Sequence, residues 1–421
     1  MPSSSGLIPT PIVERLEWQD PLLAELPMPT GTMRLTRSLT SGLSRCNSDP
    51  AGVFWGVGDR GPNLKPAAAL KRYGLTALAA HARTDGAKVM PLPASGPSLA
   101  QFRIEGTTVV LVHQAPLRGA DGKPLSGLPL PLDEQEREPA LALDGSALGT
   151  DPDGADTEGI AARADGLLWI AEEYGPSLLL VTRAGQVEAR HVPQGTAAAF
   201  AGSSIPIIES LPALALSRKL NRGFEALALS ADGSVLFTMF QSPLSHPDRA
   251  AHEQSDLVRL WALDAQDGTI LAEYAYPLGP PAGFARDCAE GPVRRDDIKV
   301  SELTLLDDGS LLVLERVTQS THIYRVQPDA RSVLPSLWGD PARRPTLEQL
   351  GADGLRAARG AVLEKRLILS TDDHPEIGCD LEGMIVLAPD TLLLASDSDY
   401  GTEGAETGFW RVTFQGPIVE L

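Results

Sequence analysis

Cysteine is scarce in this 421-residue chain, with three in all. Three cannot build a multi-disulfide scaffold, and no CxxC pair marks zinc or a redox couple. One bridge between Cys288 and Cys379, leaving Cys46 over, fits the spacing; so do three buried free thiols. Histidine is nearly as sparse, at seven residues. His191, His246 and His374 fall in expected loops, and His374, in Asp372-Asp373-His374, is the first to examine as an acid or base. There is no G-x-S-x-G elbow, no P-loop and no Rossmann glycine run, which excludes the common serine-hydrolase and nucleotide sites. His252-Glu253 begins like a zincin motif, but Asp256 stands where its second histidine belongs. No run approaches the roughly 18 apolar residues of a membrane span. Met1 to Thr10 has neither a basic nor an apolar region, so no signal peptide is visible; the protein is expected to stay inside the cell or to lack its leader.

Basic residues are outnumbered, 36 against 55 acidic, for a formal charge of −19. That field repels phosphate backbones and excludes nucleic acid as a partner. What is abundant is glycine and proline, 40 and 35 residues, which argues for many turns between short strands and against a helical bundle. With 43% hydrophobic and 22% charged residues the composition is that of an ordinary globular protein. No linker divides the chain, so residues 1–421 are expected to form one monomeric domain.

Four segments repeat. They are Asp156 to Glu173, Asn221 to Gln241, Ser301 to Arg316 and Asp380 to Asp399. Each opens on a Glu (Glu158, Glu225, Glu302, Glu382), runs through a short apolar strand and turns at an Asp. The turns are Asp165-Gly166, Asp232-Gly233, Asp308-Gly309 and Pro389-Asp390, six to eight positions after each Glu. Asp-Gly between apolar runs is a hairpin signal. Ser41 to Gly61 is a weaker fifth copy, and second strand pairs follow, such as Leu257 to Leu263 with Thr269 to Tyr276. The leading Glu residues are 67, 77 and 80 positions apart. Repeated four-stranded antiparallel sheets with inter-blade insertions read as an all-β propeller of five or six blades. The insertions are 62–97 and 116–150, and 1–34 is an N-terminal extension. Within it Ile8 to Trp18 closes the ring by pairing with Gly408 to Phe414. Arg344 to Arg359 is the best helix candidate, weakened by Gly351 and Gly354.

A Glu at the entrance of four inner strands would place four carboxylates around one axis. Like charges that close need a cation, Arg partners or protonation. Oxygen-only ligands favour Ca²⁺ ahead of Mg²⁺ or Mn²⁺. The bland alternative is that each Glu caps backbone amides of the next sheet. Second-strand ends give another acidic set, Asp59, Glu173, Glu315, Asp397 and Asp399, with Arg60 and Arg316 directly after two of them. These arginines are candidates either for ion pairing or for gripping a phosphate, and Arg222 is a third.

The motifs Ser41-Gly42-Leu43, Asp59-Arg60-Gly61, Asp156-Thr157-Glu158-Gly159-Ile160 with Glu173, and Gly223-Phe224-Glu225-Ala226-Leu227 stand in a telling order. With Glu315-Arg316, Glu382-Gly383, Asp397, Asp399 and the stretch Pro116 to Leu130, they resemble the phytase-like family, described as "esterase-like activity of phytase", over roughly Gly42 to Phe414. The resemblance implies a β-propeller and a periplasmic or secreted bacterial protein, although the expected export signal is missing. It implies a calcium-dependent phosphoesterase acting on a small phosphorylated substrate. Glu158, Glu225, Glu302, Glu382 and Asp59 would then surround the metal, while Glu225, Glu302, Arg60 and Arg316 would act on the substrate. A non-catalytic calcium-stabilised binding protein and a metal-dependent lactonase or carboxylesterase are the alternatives.

Overall fold

The computed structural model describes residues 10–46, 48–133 and 137–421. The expected all-β character holds: strands in antiparallel sheets dominate and helices are few and short. Among the described residues there are five sheets of four or more strands. The first joins Gly42–Ser44, Val53–Gly58, Ser98–Glu105 and Thr108–Pro116. The second runs Thr157–Ala162, Leu167–Glu172, Ser177–Thr182 and Val187–Pro193, and adds a parallel fifth strand, Ile207–Leu211, that the repeats do not announce. The third holds Phe224–Leu229, Val235–Phe240, Leu257–Asp264 and Ile270–Pro277, and the fourth Lys299–Leu305, Leu311–Arg316, Thr321–Val326 and Lys365–Ser370. The fifth takes Leu381–Ala388, Thr391–Ser396 and Phe409–Thr413 from the end of the chain and Ile12–Leu16 from its beginning.

That last pairing, Ile12 opposite Thr413 through Leu16 opposite Phe409, joins the two ends of the chain in one sheet, as the expected strand pair does; Ile8 and Pro9 lie outside the described residues. The first strands of the five sheets pack against one another in sequence, and the fifth packs against the first. Two glycines permit this approach. A Cβ on Gly42 would stand 2.2 Å from the Glu158 carbonyl oxygen, and one on Gly159 2.6 Å from that of Glu225. The hairpin turns form as the Asp-Gly pairs require: Gly166, Gly233 and Gly309 take φ of 91°, 73° and 80°, and Asp165, Asp232 and Asp308 accept the amide two residues on.

Buried apolar side chains fill the spaces between sheets. In the third sheet Phe224, Phe240 and Trp261 meet with centroids 4.7–5.7 Å apart. Each such buried side chain contributes about 1.5–3 kcal/mol.

Of the two stretches expected to be irregular, 62–97 contains a helix, Pro66–Tyr73, and both contribute to one small parallel pair, Lys88–Val89 with Ala140–Leu141. No sixth sheet of four strands arises among their described residues. The extension carries its own hairpin, Leu22–Met28 with Gly31–Thr36. The expected helix is Leu347–Ala357, capped by Thr346 and Gln349 and broken at Gly351 with φ 62°. The cysteines make no disulfide; Cys46 is buried and Cys288 exposed. His191 is not in a loop but buried within Val187–Pro193, its Nδ1 2.9 Å from Ser210 Oγ.

Candidate functional site

The ends of the inner hairpins converge on a cavity of about 730 Å³. Its wall includes Asp59, Arg60, Glu158, Glu173, Arg222, Glu225, Gln241, Lys299, Arg316, Glu382, Asp397 and Asp399. Geometry at the leading position explains the selection. The pairing of each inner strand with its neighbour slips there: between Thr157 and Ile160, Phe224 and Ala226, and Leu381 and Gly383. A bulge of this kind re-aims a side chain, and Glu158, Glu225 and Glu382 reach the cavity.

In the fourth sheet the slip lies between Val300 and Glu302, so the extra residue is Ser301. Glu302 is therefore not brought to the cavity. It is fully buried, its Oε2 accepts the Leu43 amide at 2.8 Å, and its Oε1 accepts the Leu303 amide at 3.0 Å. For this residue the capping alternative is the observed one. Glu315 also departs from expectation. Adjacent residues of a strand face opposite ways, and Arg316 takes the cavity side. Glu315 instead accepts from Tyr276, Lys365 and the Gly279 amide. His374 is likewise elsewhere, buried with its Nδ1 3.3 Å from Glu376.

Asp156, Glu158 and Glu173 form the tightest acidic group: one oxygen from each lies within 4.8 Å of the others. Asp156 precedes the first strand of the second sheet and Glu173 follows its second strand, so a single hairpin brings all three together. No described residue bonds or pairs with the Glu158 carboxylate. Burial pushes the Asp59, Glu158 and Glu173 carboxyls well above the ordinary range, and neighbouring carboxylates push them further. Burial also raises Glu225 and Glu382, opposed by Gln241 and Arg316 respectively. Glu225 Oε1 accepts from Gln241 at 2.5 Å, while its buried Oε2 has no hydrogen-bond partner.

The two arginines expected to grip phosphate are already committed. Arg60 is 3% exposed and pairs with Glu138, Asp156 and Glu173, the last at 3.5 Å, with Tyr174 under its guanidinium. Arg316 pairs with Asp380 at 2.9 Å and with Glu382, and its Nε donates to Ser301 Oγ at 2.9 Å.

Two other cations are not committed. Arg222 has a buried Nη1 with no hydrogen-bond partner, and burial lowers its pKa. Lys299, which the repeats did not single out, makes no ion pair with a described residue. Its ammonium is pushed down to about 8, first by Arg316 and then by burial and Arg222. One signal in the sequence pointed here. Counting seven back from the three Asp-Gly turns gives Glu158, Glu225 and Ser301, so Lys299 precedes the aligned position by two, on the same face.

The site thus combines an acidic group that could hold a metal ion with two cations that make no ion pair, in one cavity of a β protein. The family follows from the sequence match. A model described as "Phytase-like: Esterase-like activity of phytase" covers residues 39–400, and the chain belongs to that family.

A curated relative, named an uncharacterized secreted protein of Arthroderma benhamiae, is 26% identical over 302 residues; the match covers 64% of this chain and 56% of that protein. The chain therefore spans little more than half of that relative. Among solved structures, the PQQ-bound aldose sugar dehydrogenase of Streptomyces coelicolor is 10% identical, with 96% of this chain and 98% of that one covered at a TM-score of 0.34. The periplasmic gluconolactonase of Pseudomonas aeruginosa is 12% identical over 96% and 98% at 0.31. Scores this low carry no argument about function. Among the described residues no helix is long and apolar enough to cross a membrane.

Proposed function

We propose that the chain is a calcium-dependent phosphoesterase, a single closed five-bladed β-propeller acting on a small phosphorylated substrate in the central cavity. The observation that carries this reading is the acidic group Asp156, Glu158 and Glu173, with its oxygens within 4.8 Å of one another on a cavity that also presents unpaired Arg222 and Lys299.

The donors fit a hard cation. All are carboxylate oxygens, Glu158 has no other partner, and Glu225 Oε2 accepts no hydrogen bond, while Asp156 Oδ2 is shared with the Arg60 guanidinium. Calcium, which takes six to eight oxygens in flexible geometry, suits such a set better than Mg²⁺ or Mn²⁺. Asp156, Glu158 and Glu173 would hold it, with Asp59, Glu225 and Glu382 nearby. When bound, the ion would supply charge neutralisation and Lewis-acid polarisation of a phosphoryl oxygen.

The chain's own residues do the rest. Arg222 and Lys299 bind and orient the anionic group. Glu225, its carboxyl raised by burial, holds or releases a proton at Oε2. Arg60 and Arg316 keep the flanking carboxylates in place rather than touching substrate. Like the relative named as secreted, the protein would work outside the cytoplasm, as a monomer.

A panel of phosphate esters, lactones and acyl esters, assayed with Ca²⁺, Mg²⁺, Mn²⁺ or chelator, tests this. Turnover of a phosphate ester that needs Ca²⁺ and stops in chelator is expected. Equal turnover in chelator sinks the proposal, and hydrolysis confined to lactones or acyl esters replaces it with another hydrolase. Calcium-raised melting with no turnover of any ester would leave a binding protein.

A further inference from the structure

A second cavity, of about 300 Å³, is lined by different residues from the first. Its wall is built from the strand Ile12–Leu16 and the turn after it (Arg15, Trp18, Asp20), the strand Gly31–Thr36, the end of the helix Pro66–Tyr73, and the segment 401–407. In a chain of formal charge −19, three arginines, Arg15, Arg34 and Arg72, line this one cavity together with Asp20 and Glu406.

The acids do not quench them. Asp20 spends both oxygens on other donors, Trp18 Nε1 at 2.7 Å and the Thr407 amide at 2.8 Å. Arg34 reaches Glu25 only at 3.8 Å. Arg15 and Arg72 have no carboxylate partner among the described residues and lie 6.0 Å from the Trp410 ring and 5.9 Å from the Tyr73 ring. A separate observation points to a ligand. Thr407 is 6% exposed, and its Oγ1 is buried without a hydrogen-bond partner. A buried hydroxyl left unpaired is costly, and an acceptor oxygen in the cavity would satisfy it.

We propose that this cavity binds a small oxyanion, carboxylate or phosphate, clamped by Arg15, Arg34 and Arg72 and by the Thr407 hydroxyl. The planar guanidinium fork suits both anions. One segment walls both this cavity and the central one. Asp399, Thr402 and Glu403 face the central cavity, while Gly401, Gly404, Ala405, Glu406 and Thr407 line the second. Tyr73 Oη fixes that wall by donating to the Thr402 carbonyl at 2.6 Å. Asp399 and Tyr400 hold left-handed φ of 47° and 56°, so the segment is strained as well as shared.

The test titrates the full, metal-free chain with inorganic phosphate and, separately, with malonate, followed by calorimetry and by tryptophan fluorescence, since Trp18 lines the cavity. Saturable binding is expected for at least one anion, and whichever binds names the oxyanion. Arg72→Ala and Arg15→Ala, both at exposed positions, should weaken it at least tenfold with melting temperature unchanged. Arg222→Ala, in the central cavity, should alter it less than twofold. No saturable binding of either anion, or binding lost in Arg222→Ala and kept in Arg72→Ala, overturns the proposal.

Discussion

The Arg60 guanidinium lies 3.5 Å from the Glu173 carboxylate and pairs, through the same nitrogen, with Asp156. Two members of the acidic group thus already share one positive charge inside the protein. Breaking a buried pair by removing one partner costs about 3–5 kcal/mol, because the other charge stays behind. Arg60→Met should therefore destabilise the metal-free protein by about that much. Calcium should recover more stability in this variant than in the parent, since the ion replaces a lost charge. Denaturant melts with calcium and with chelator check both statements; equal calcium gains in the two proteins would separate Arg60 from the site.

Glu158 and Glu302 are both the leading Glu of a repeat, but they sit one residue apart relative to the bulge, and only the first should matter to the metal. Glu158→Gln is expected to weaken calcium binding roughly tenfold or more in calorimetry. Glu302→Gln should leave that affinity within twofold. It should instead lower stability by about 1–2 kcal/mol, through poorer acceptance of the Leu43 and Leu303 amides.

This contrast marks how far the sequence could be read. The hairpins were legible because Asp-Gly turns and alternating apolar residues state their own geometry locally, and the pairing of the chain's two ends because the last sheet was a strand short. The acidic cavity was legible as a set of repeated carboxylates. Which carboxylates enter it was not, because a bulge of one residue exchanges the two faces of a strand, and the bulge at Ser301 leaves no mark but the seven-residue spacing to Asp308. Nor do the pairings of Arg60 with Glu138 and Asp156, 78 and 96 positions away, show in any local pattern. They exist only once the sheets are assembled.

The raised carboxyls predict an unusual pH dependence. Asp59, Glu158, Glu173 and Glu382 bind protons more tightly folded than unfolded. Their contribution to stability is then fully present below the ordinary carboxylate range and is lost as pH rises through the raised folded values. The metal-free protein should accordingly melt higher at pH 5 than at pH 8. With saturating calcium the gain at pH 5 should shrink or reverse, because protons and the ion compete for the same oxygens. Melting curves over that range, with and without chelator, decide it; a metal-free protein that melts higher at pH 8 contradicts the assignment.

Arg222 gives a prediction of the opposite sign to most buried substitutions. Its Nη1 is buried without a hydrogen-bond partner, its Nη2 donates a 3.4 Å bond to the Asp296 carbonyl, and the attraction of Glu173 and Glu225 does not offset the cost of its burial. A desolvated cation with so little return is costly to keep when no ligand is present. Arg222→Ala should leave the ligand-free protein as stable as the parent or more so, by up to about 1 kcal/mol, the pattern of a residue kept for function rather than for folding. On a phosphate ester with calcium the same variant should lose binding, with KM raised roughly tenfold, the loss of about 1.4 kcal/mol. The pairing of the two results is the check. A variant that is destabilised while its KM is unchanged would make Arg222 a structural residue and leave the substrate's anionic group to Lys299.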